Sequence, residues 1–152
     1  MRDLYRERGD CMHTALEIAR YIINKCIELG RPVSNLQLQK ILYYVQGEYM
    51  KHNNGEPLFE DDIVAWQYGP VVTSVYYEYN CYSSSNIREK QEETNLDSDE
   101  IGIINPIIDN KSNLSAWTLV QKTHSEDPWI NAYKRYDGST ITKEELEDWF
   151  LN

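Results

Sequence analysis

Phenylalanine occurs only twice in these 152 residues, cysteine and histidine three times each, proline five times and glycine seven. Three widely spaced cysteines, Cys11, Cys26 and Cys81, with no C-x-x-C pair, form neither a disulfide framework nor a zinc knuckle and are read as reduced thiols. Cys26 falls on an apolar helical face and is expected in the core, while Cys11 and Cys81 are free to lie at the surface. No apolar run approaches the roughly 18 residues of a bilayer span; the longest are only a few residues, such as Tyr21-Ile22-Ile23. The charged opening Met1-Arg2-Asp3-Leu4-Tyr5-Arg6-Glu7-Arg8 lacks the apolar core of a secretory leader, so a cytoplasmic location is expected. Basic residues are scarce as well. Fifteen Lys and Arg face 25 Asp and Glu, a formal charge of −10 that repels a phosphate backbone and disfavours direct nucleic-acid binding.

Catalytic signatures are missing too. There is no GxxxxGK[ST] or GxGxxG loop, no HExxH, no GxSxG and no Cys/His ligand spacing, so no catalytic residue, cofactor or metal site is assigned. What is present is an ordinary globular composition, 41% hydrophobic and 26% charged, sufficient for one compact domain. After a polar lead-in at residues 1–12, Ala15, Ile18, Ala19, Ile22, Cys26 and Leu29 recur at helical spacing up to a C-terminal Gly30. Ser34 and Gln37 make a capping box for a second helix whose stripe is Leu38, Ile41, Leu42, Val45 and Tyr49 and whose stop is Asn53-Asn54-Gly55.

Ile63 to Tyr68 reads as a strand, broken by Gly69 and followed by a helix begun at Pro70. Residues 83–95 are polar and read as a mobile loop. Ser98 is a candidate cap for a helix kinked by Pro106, Leu114 to Thr123 forms a short helix, and Asp127-Pro128 caps and opens the next. A last capping box, Thr142 with Glu145, precedes Leu146, Trp149 and Phe150. A lone strand leaves backbone groups unpaired, and Thr140-Ile141-Thr142 is the best partner for Ile63–Tyr68. The expected fold is therefore mainly α: a single-domain bundle of about six or seven helices with a small two-stranded β element, spanning 13–151.

Among the histidines, His13 and His52 lie in polar surroundings and are read as solvated. His124 sits between two helices in a segment dense in hydrogen-bonding groups, where a structural bracket between helix ends outweighs acid–base work, since no nucleophile or oxyanion site accompanies it. An enzyme using His124 with Lys40 or a nearby carboxylate is the rival reading. It requires a cleft that brings those groups within hydrogen-bonding distance.

Three segments in order resemble one family. Leu36-Gln37-Leu38-Gln39-Lys40-Ile41-Leu42-Tyr43-Tyr44 looks like the leucine, lysine and tyrosine helix of the Panacea domain, also described as SocA-like antitoxins or phage-associated GepA-type proteins. Pro57-Leu58-Phe59 with Asp62 to Val71 resembles its central signature, and Leu119 to Trp129 its threonine-histidine and proline-tryptophan block. The resemblance implies a non-enzymatic antitoxin that binds a cognate protein toxin directly. A variant is an adaptor that delivers its toxin to a Clp-type protease, which would then be a second partner. A third possibility is a phage-encoded modulator of the host.

The motif residues Leu38, Lys40, Tyr43, Trp66, Gly69, Pro70, Thr123, His124, Pro128 and Trp129 are expected to be scaffold, while Tyr43, Tyr77 and Tyr82 are candidates for partner contact. Two features of the residues agree with a protein partner: an acidic surface suits a basic toxin, and twelve tyrosines supply rigid amphipathic contact groups. No helix-turn-helix is appended, so autorepression by this chain alone is not expected, and no nucleic-acid or membrane partner is assigned.

Overall fold

A computed structural model describes residues 12–152. Among them are seven α-helices: α1 (Ala15–Glu28), α2 (Asn35–His52), α3 (Thr73–Tyr79), α4 (Ser98–Ser112), α5 (Ala116–His124), α6 (Asp127–Arg135) and α7 (Lys143–Phe150). Three short strands, β1 (Ile63–Trp66), β2 (Gly69–Val71) and β3 (Thr140–Ile141), form one antiparallel sheet in the order β2-β1-β3. None of these helices is long and apolar enough to cross a membrane.

Helix α2 is the axis of the domain. Its Ser34 hydroxyl accepts the Gln37 amide while the Gln37 side chain accepts the Ser34 amide, the reciprocal cap read from the sequence. The expected single apolar stripe is too narrow a description, because every residue from Leu38 to Gly47 is buried. Helices α1, α3, α4, α5 and α7 and strand β2 surround it. Gly47 permits the close approach of α7: a Cβ at that position would lie 2.2 Å from the Phe150 ring. A helix enclosed on all sides must also dispose of its polar side chains, and Gln39, Lys40 and Gln46 are buried with the apolar ones.

The pairing of β1 with Thr140-Ile141 is present, with Ile63 opposite Ile141 and Val64 opposite Thr140. The sheet has a third strand as well. Trp66 pairs with Gly69 across the two-residue turn Gln67-Tyr68, so β1 stops two residues before Tyr68, and Pro70 lies in β2 instead of opening a helix. The physical reason is local. Gly69 adopts φ +111°, closed to most L-residues, and proline without its N–H is tolerated in an edge strand. Helix α3 therefore begins only at Thr73, after the β-branched pair Val71-Val72, with Val72 as N-cap.

Two caps shift by one residue from the sequence reading. Asp97, not Ser98, caps α4 and completes a box with Glu100. Glu126, not Asp127, occupies the N-cap of α6 but makes no capping bond, because its side chain points into the core. The polar stretch 83–95 is tied down at several points. Ile87 is fully buried and its amide donates to the Val33 carbonyl at 2.8 Å, and Asn24 exchanges two hydrogen bonds with the Gln91 backbone. His13 is not simply solvated: its Nε2 lies 3.1 Å from a Glu100 carboxylate oxygen, joining the start of α1 to α4. His52 is exposed, as are Cys81 and Tyr77, whereas Cys26 is buried and burial pushes its thiol up to about 11. Cys11 lies outside the described residues.

Candidate functional site

Strand β1, its turn and β2 form a hairpin too short to support itself through ladder bonds alone, so its remaining carbonyls need partners. They are supplied from two directions. The Lys40 ammonium donates to the Pro70 carbonyl at 3.0 Å, the His124 Nε2–H donates to the Gln67 carbonyl at 3.0 Å, and the Trp129 indole N–H donates to the Trp66 carbonyl at 2.8 Å. Gln39 completes the set, its side-chain carbonyl accepting the Val72 amide at 2.9 Å. Two turns further along the same helix, Gln46 accepts the Leu58 and Phe59 amides and donates to the Phe59 carbonyl at 2.8 Å. Helix α2 thus acts as a surrogate strand, offering side chains where backbone partners are lacking.

The α5–α6 junction closes the clamp. His124 stacks on Trp129 with centroids 4.1 Å apart, and Trp129 stacks on Tyr133 at 4.7 Å. Burial holds the His124 imidazole below its ordinary pKa, which favours the neutral ring that donates through Nε2. Buried Thr123 donates to the Val120 carbonyl at 2.9 Å. Its hydroxyl and the Lys40 stem face Gly69, where a Cβ would stand 2.8 Å from Thr123 Oγ1 and 2.7 Å from Lys40 Cε. Gly69 is therefore fixed both by its positive φ and by the absence of room. Among the described residues no carboxylate pairs with Lys40, and burial lowers its ammonium from 10.5 to about 7.

Behind the clamp lies a buried carboxylate. Glu126 accepts the Tyr43 hydroxyl at 2.9 Å on one oxygen and the Tyr44 hydroxyl at 2.8 Å on the other, with Lys122 Nζ at 3.9 Å. Burial, reinforced by that carboxylate, pushes both phenols above their usual range. Lys111 Nζ lies 4.4 Å from the Tyr44 ring centroid, adding a cation to the same cluster.

The motif residues named from the sequence therefore converge. Lys40, Trp66, Gly69, Pro70, Thr123, His124 and Trp129 meet at the hairpin, with Leu38 and Pro128 buried alongside and Tyr43 linked to Glu126. Tyr43 is fully buried and presents nothing to a partner in this conformation, because its ring is enclosed and its hydroxyl is taken. Tyr77 is 63% exposed, and half-buried Tyr82 donates to Glu89. His124 and Lys40, the pair required by the enzymatic reading, donate to different hairpin carbonyls, and no hydrogen bond joins them among the described residues. Gln39, Gln46 and Glu126 escaped the sequence reading. The seven-residue spacing of the two glutamines, which places both on one helical face two turns apart, was the available signal. Among the described residues no cluster of three or more His, Cys, Asp or Glu side chains is placed to hold a metal ion.

The model of the family described as "Antitoxin SocA-like, Panacea domain" matches residues 38–130, more than half of the chain, including the hairpin and the Lys40, His124 and Trp129 that hold it. The chain belongs to the SocA-like Panacea family. A curated relative in Caulobacter vibrioides (strain NA1000 / CB15N), named "Antitoxin SocA", is 37% identical over 71 residues, which are 47% of this chain and 36% of the relative. The Panacea chain thus spans about a third of the length of the curated relative it matches. No solved structure matches it.

Proposed function

We propose that this Panacea-family protein is an antitoxin that neutralises a cognate protein toxin by binding it directly. The observation that carries the reading is the family match over residues 38–130. Three features of the molecule support it. The polar ends of Lys40 and His124 are committed to hairpin carbonyls, an arrangement suited to holding a shape more than to moving protons between substrates. Outside the clamp, Tyr68 and Tyr77 are 53% and 63% exposed, rigid aromatics of the kind that anchor protein interfaces. The charge of −10 favours a basic toxin and an association rate that falls as salt rises, while apolar contacts govern dissociation.

The test is coexpression with the product of a small toxic open reading frame adjacent to the gene. Growth rescue together with co-purification of the two chains, insensitive to dialysis against a chelator, is the expected result. Rescue without a complex would overturn direct binding, and rescue lost in cells lacking a Clp-type protease would assign delivery in place of occlusion.

A further inference from the structure

A groove of 610 Å³ opens beside the hairpin, within the roughly 300–1,000 Å³ span of binding clefts. Trp66, Tyr68 and Tyr76 contribute to its lining, together with the amide residues Gln67 and Asn80. Among the described residues Asp137 is the single charged one in the lining, and no Lys, Arg or His takes part. The aspartate is set in place by its backbone neighbours. Gly138 donates its amide to the Ala65 carbonyl at 2.7 Å and Ala65 donates to the Ser139 carbonyl at 2.9 Å, which brings the Tyr136–Ser139 turn against β1. Its carboxylate has no hydrogen-bond or ion-pair partner among the described residues. The aromatic wall is equally well supported, since Trp66 packs edge-on against Tyr76 at 5.0 Å and Tyr76 against Tyr77 at 5.4 Å.

Electron-rich ring faces, one carboxylate without a partner among the described residues, amide carbonyls and an acidic protein around them all favour a cation and disfavour a phosphate or carboxylate ligand. Between the two basic side chains, guanidinium is the better match, because it is planar, stacks on indole and phenol rings and forks onto a carboxylate. The adjacent edge strand is a poor template for strand addition: Pro70 lacks an N–H and its carbonyl is occupied by Lys40. We infer that this groove is the toxin-contact site and receives an arginine side chain, held between Asp137 and the aromatic wall, from a basic segment of the partner. The identity of that partner rests on the antitoxin reading above; the ligand chemistry does not.

The experiment uses the whole chain and a fluorescein-labelled peptide of alternating arginine and glycine, read by fluorescence anisotropy at physiological ionic strength. Its controls are the same peptide with lysine for arginine and with glutamate for arginine. Asp137→Asn and Tyr68→Ala should each weaken the arginine peptide about tenfold, the scale of a desolvated cation–π or ion-pair contact. Glu92→Gln, which removes the same charge from an exposed residue that does not line the groove, should leave affinity within about twofold. Equal losses in Asp137→Asn and Glu92→Gln would reduce the effect to the diffuse acidic field and overturn the site. Preference for the glutamate peptide would overturn the ligand class. Toxin rescue separates the two readings: a wild-type chain that binds the arginine peptide but rescues from no toxin removes the antitoxin function and leaves the cation site. A Tyr68→Ala/Asp137→Asn double variant that keeps its fold and rescues fully removes the groove as the toxin contact and leaves the antitoxin.

Discussion

The two sides of the hairpin follow opposite rules. On the side facing α2, α5 and α6, the carbonyls of Trp66, Gln67 and Pro70 each accept a side-chain donor from Trp129, His124 or Lys40, and a methyl group added at Gly69 has no space. Toward solvent, Tyr68 and Tyr77 are exposed and Asp137 is unpaired among the described residues. A two-residue turn on very short strands cannot hold aromatic side chains in fixed positions by its own ladder bonds. The clamp does so, and a preorganised contact surface loses less entropy on binding. The lesson is a division of labour: residues on the core side set the shape of the hairpin, and residues on its outer side are left free to meet a partner.

The largest way to break this division is Gly69→Ala. Its Cβ would be forced against Lys40 and Thr123 at a positive φ, and thermal unfolding should report a loss of roughly 2–4 kcal/mol. A melting temperature like that of the wild type would show that the clamp is looser than its packing. Glu126→Gln comes next. It replaces one of the two oxygens that accept the Tyr43 and Tyr44 hydroxyls with a donor, leaving a buried pair mismatched at about 1–3 kcal/mol in urea denaturation.

A pH series sharpens the role of Lys40. Its ammonium falls from 10.5 to about 7 on folding, so between those values the unfolded chain binds the extra proton. Stability contributed by this residue must then rise as pH increases from about 7 toward 10, and the full penalty of burying the charge applies below 7. His13 acts in the opposite sense. The hydrogen bond to Glu100 raises its pKa, so its contribution is complete below its unfolded value and fades as pH climbs through the folded one. Subtracting the profile of Lys40→Met from that of the wild type removes the His13 component and should leave the rising slope; a flat difference between pH 7 and 9 would contradict the burial of a charged amine. The smallest expected effect on stability belongs to Tyr77→Ala, within about 0.5 kcal/mol by the same melts, because the side chain is largely in solvent.

Much of the core side was legible in the sequence. Capping boxes at Ser34 and Thr142 and the partnership of Thr140-Ile141 with Ile63-Val64 follow from local chemistry, whereas the order of the lysine, tryptophan-glycine and histidine segments did not say that they meet. The extended path of Gly69–Val71 was less so, since Gly-Pro signals a helix start and a strand edge alike, and only the tertiary bond from Lys40 to the Pro70 carbonyl decides between them. Tyr43 illustrates the same difficulty for sites. Tyrosine suits an interface or a half-buried core equally well, and a carboxylate 83 residues away in the chain settles where it goes. The groove was illegible for a related reason: Trp66, Tyr76 and Asp137 come from three segments that share no spacing, and the backbone bond from Gly138 to Ala65 brings the last of them in.

The division of labour is tested most directly by measuring, side by side, the affinity for the cognate toxin and the melting temperature of His124→Ala and Tyr77→Ala. His124 bonds the Gln67 carbonyl and stacks on Trp129 on the side of the hairpin that faces α5 and α6, whereas Tyr77 stands on the outer side against Trp66. The account predicts a lowered melting temperature with near-native affinity for folded His124→Ala, and an unchanged melting temperature with about tenfold weaker binding for Tyr77→Ala. The reverse pattern, an affinity loss without a stability loss in His124→Ala and full affinity in Tyr77→Ala, would contradict it.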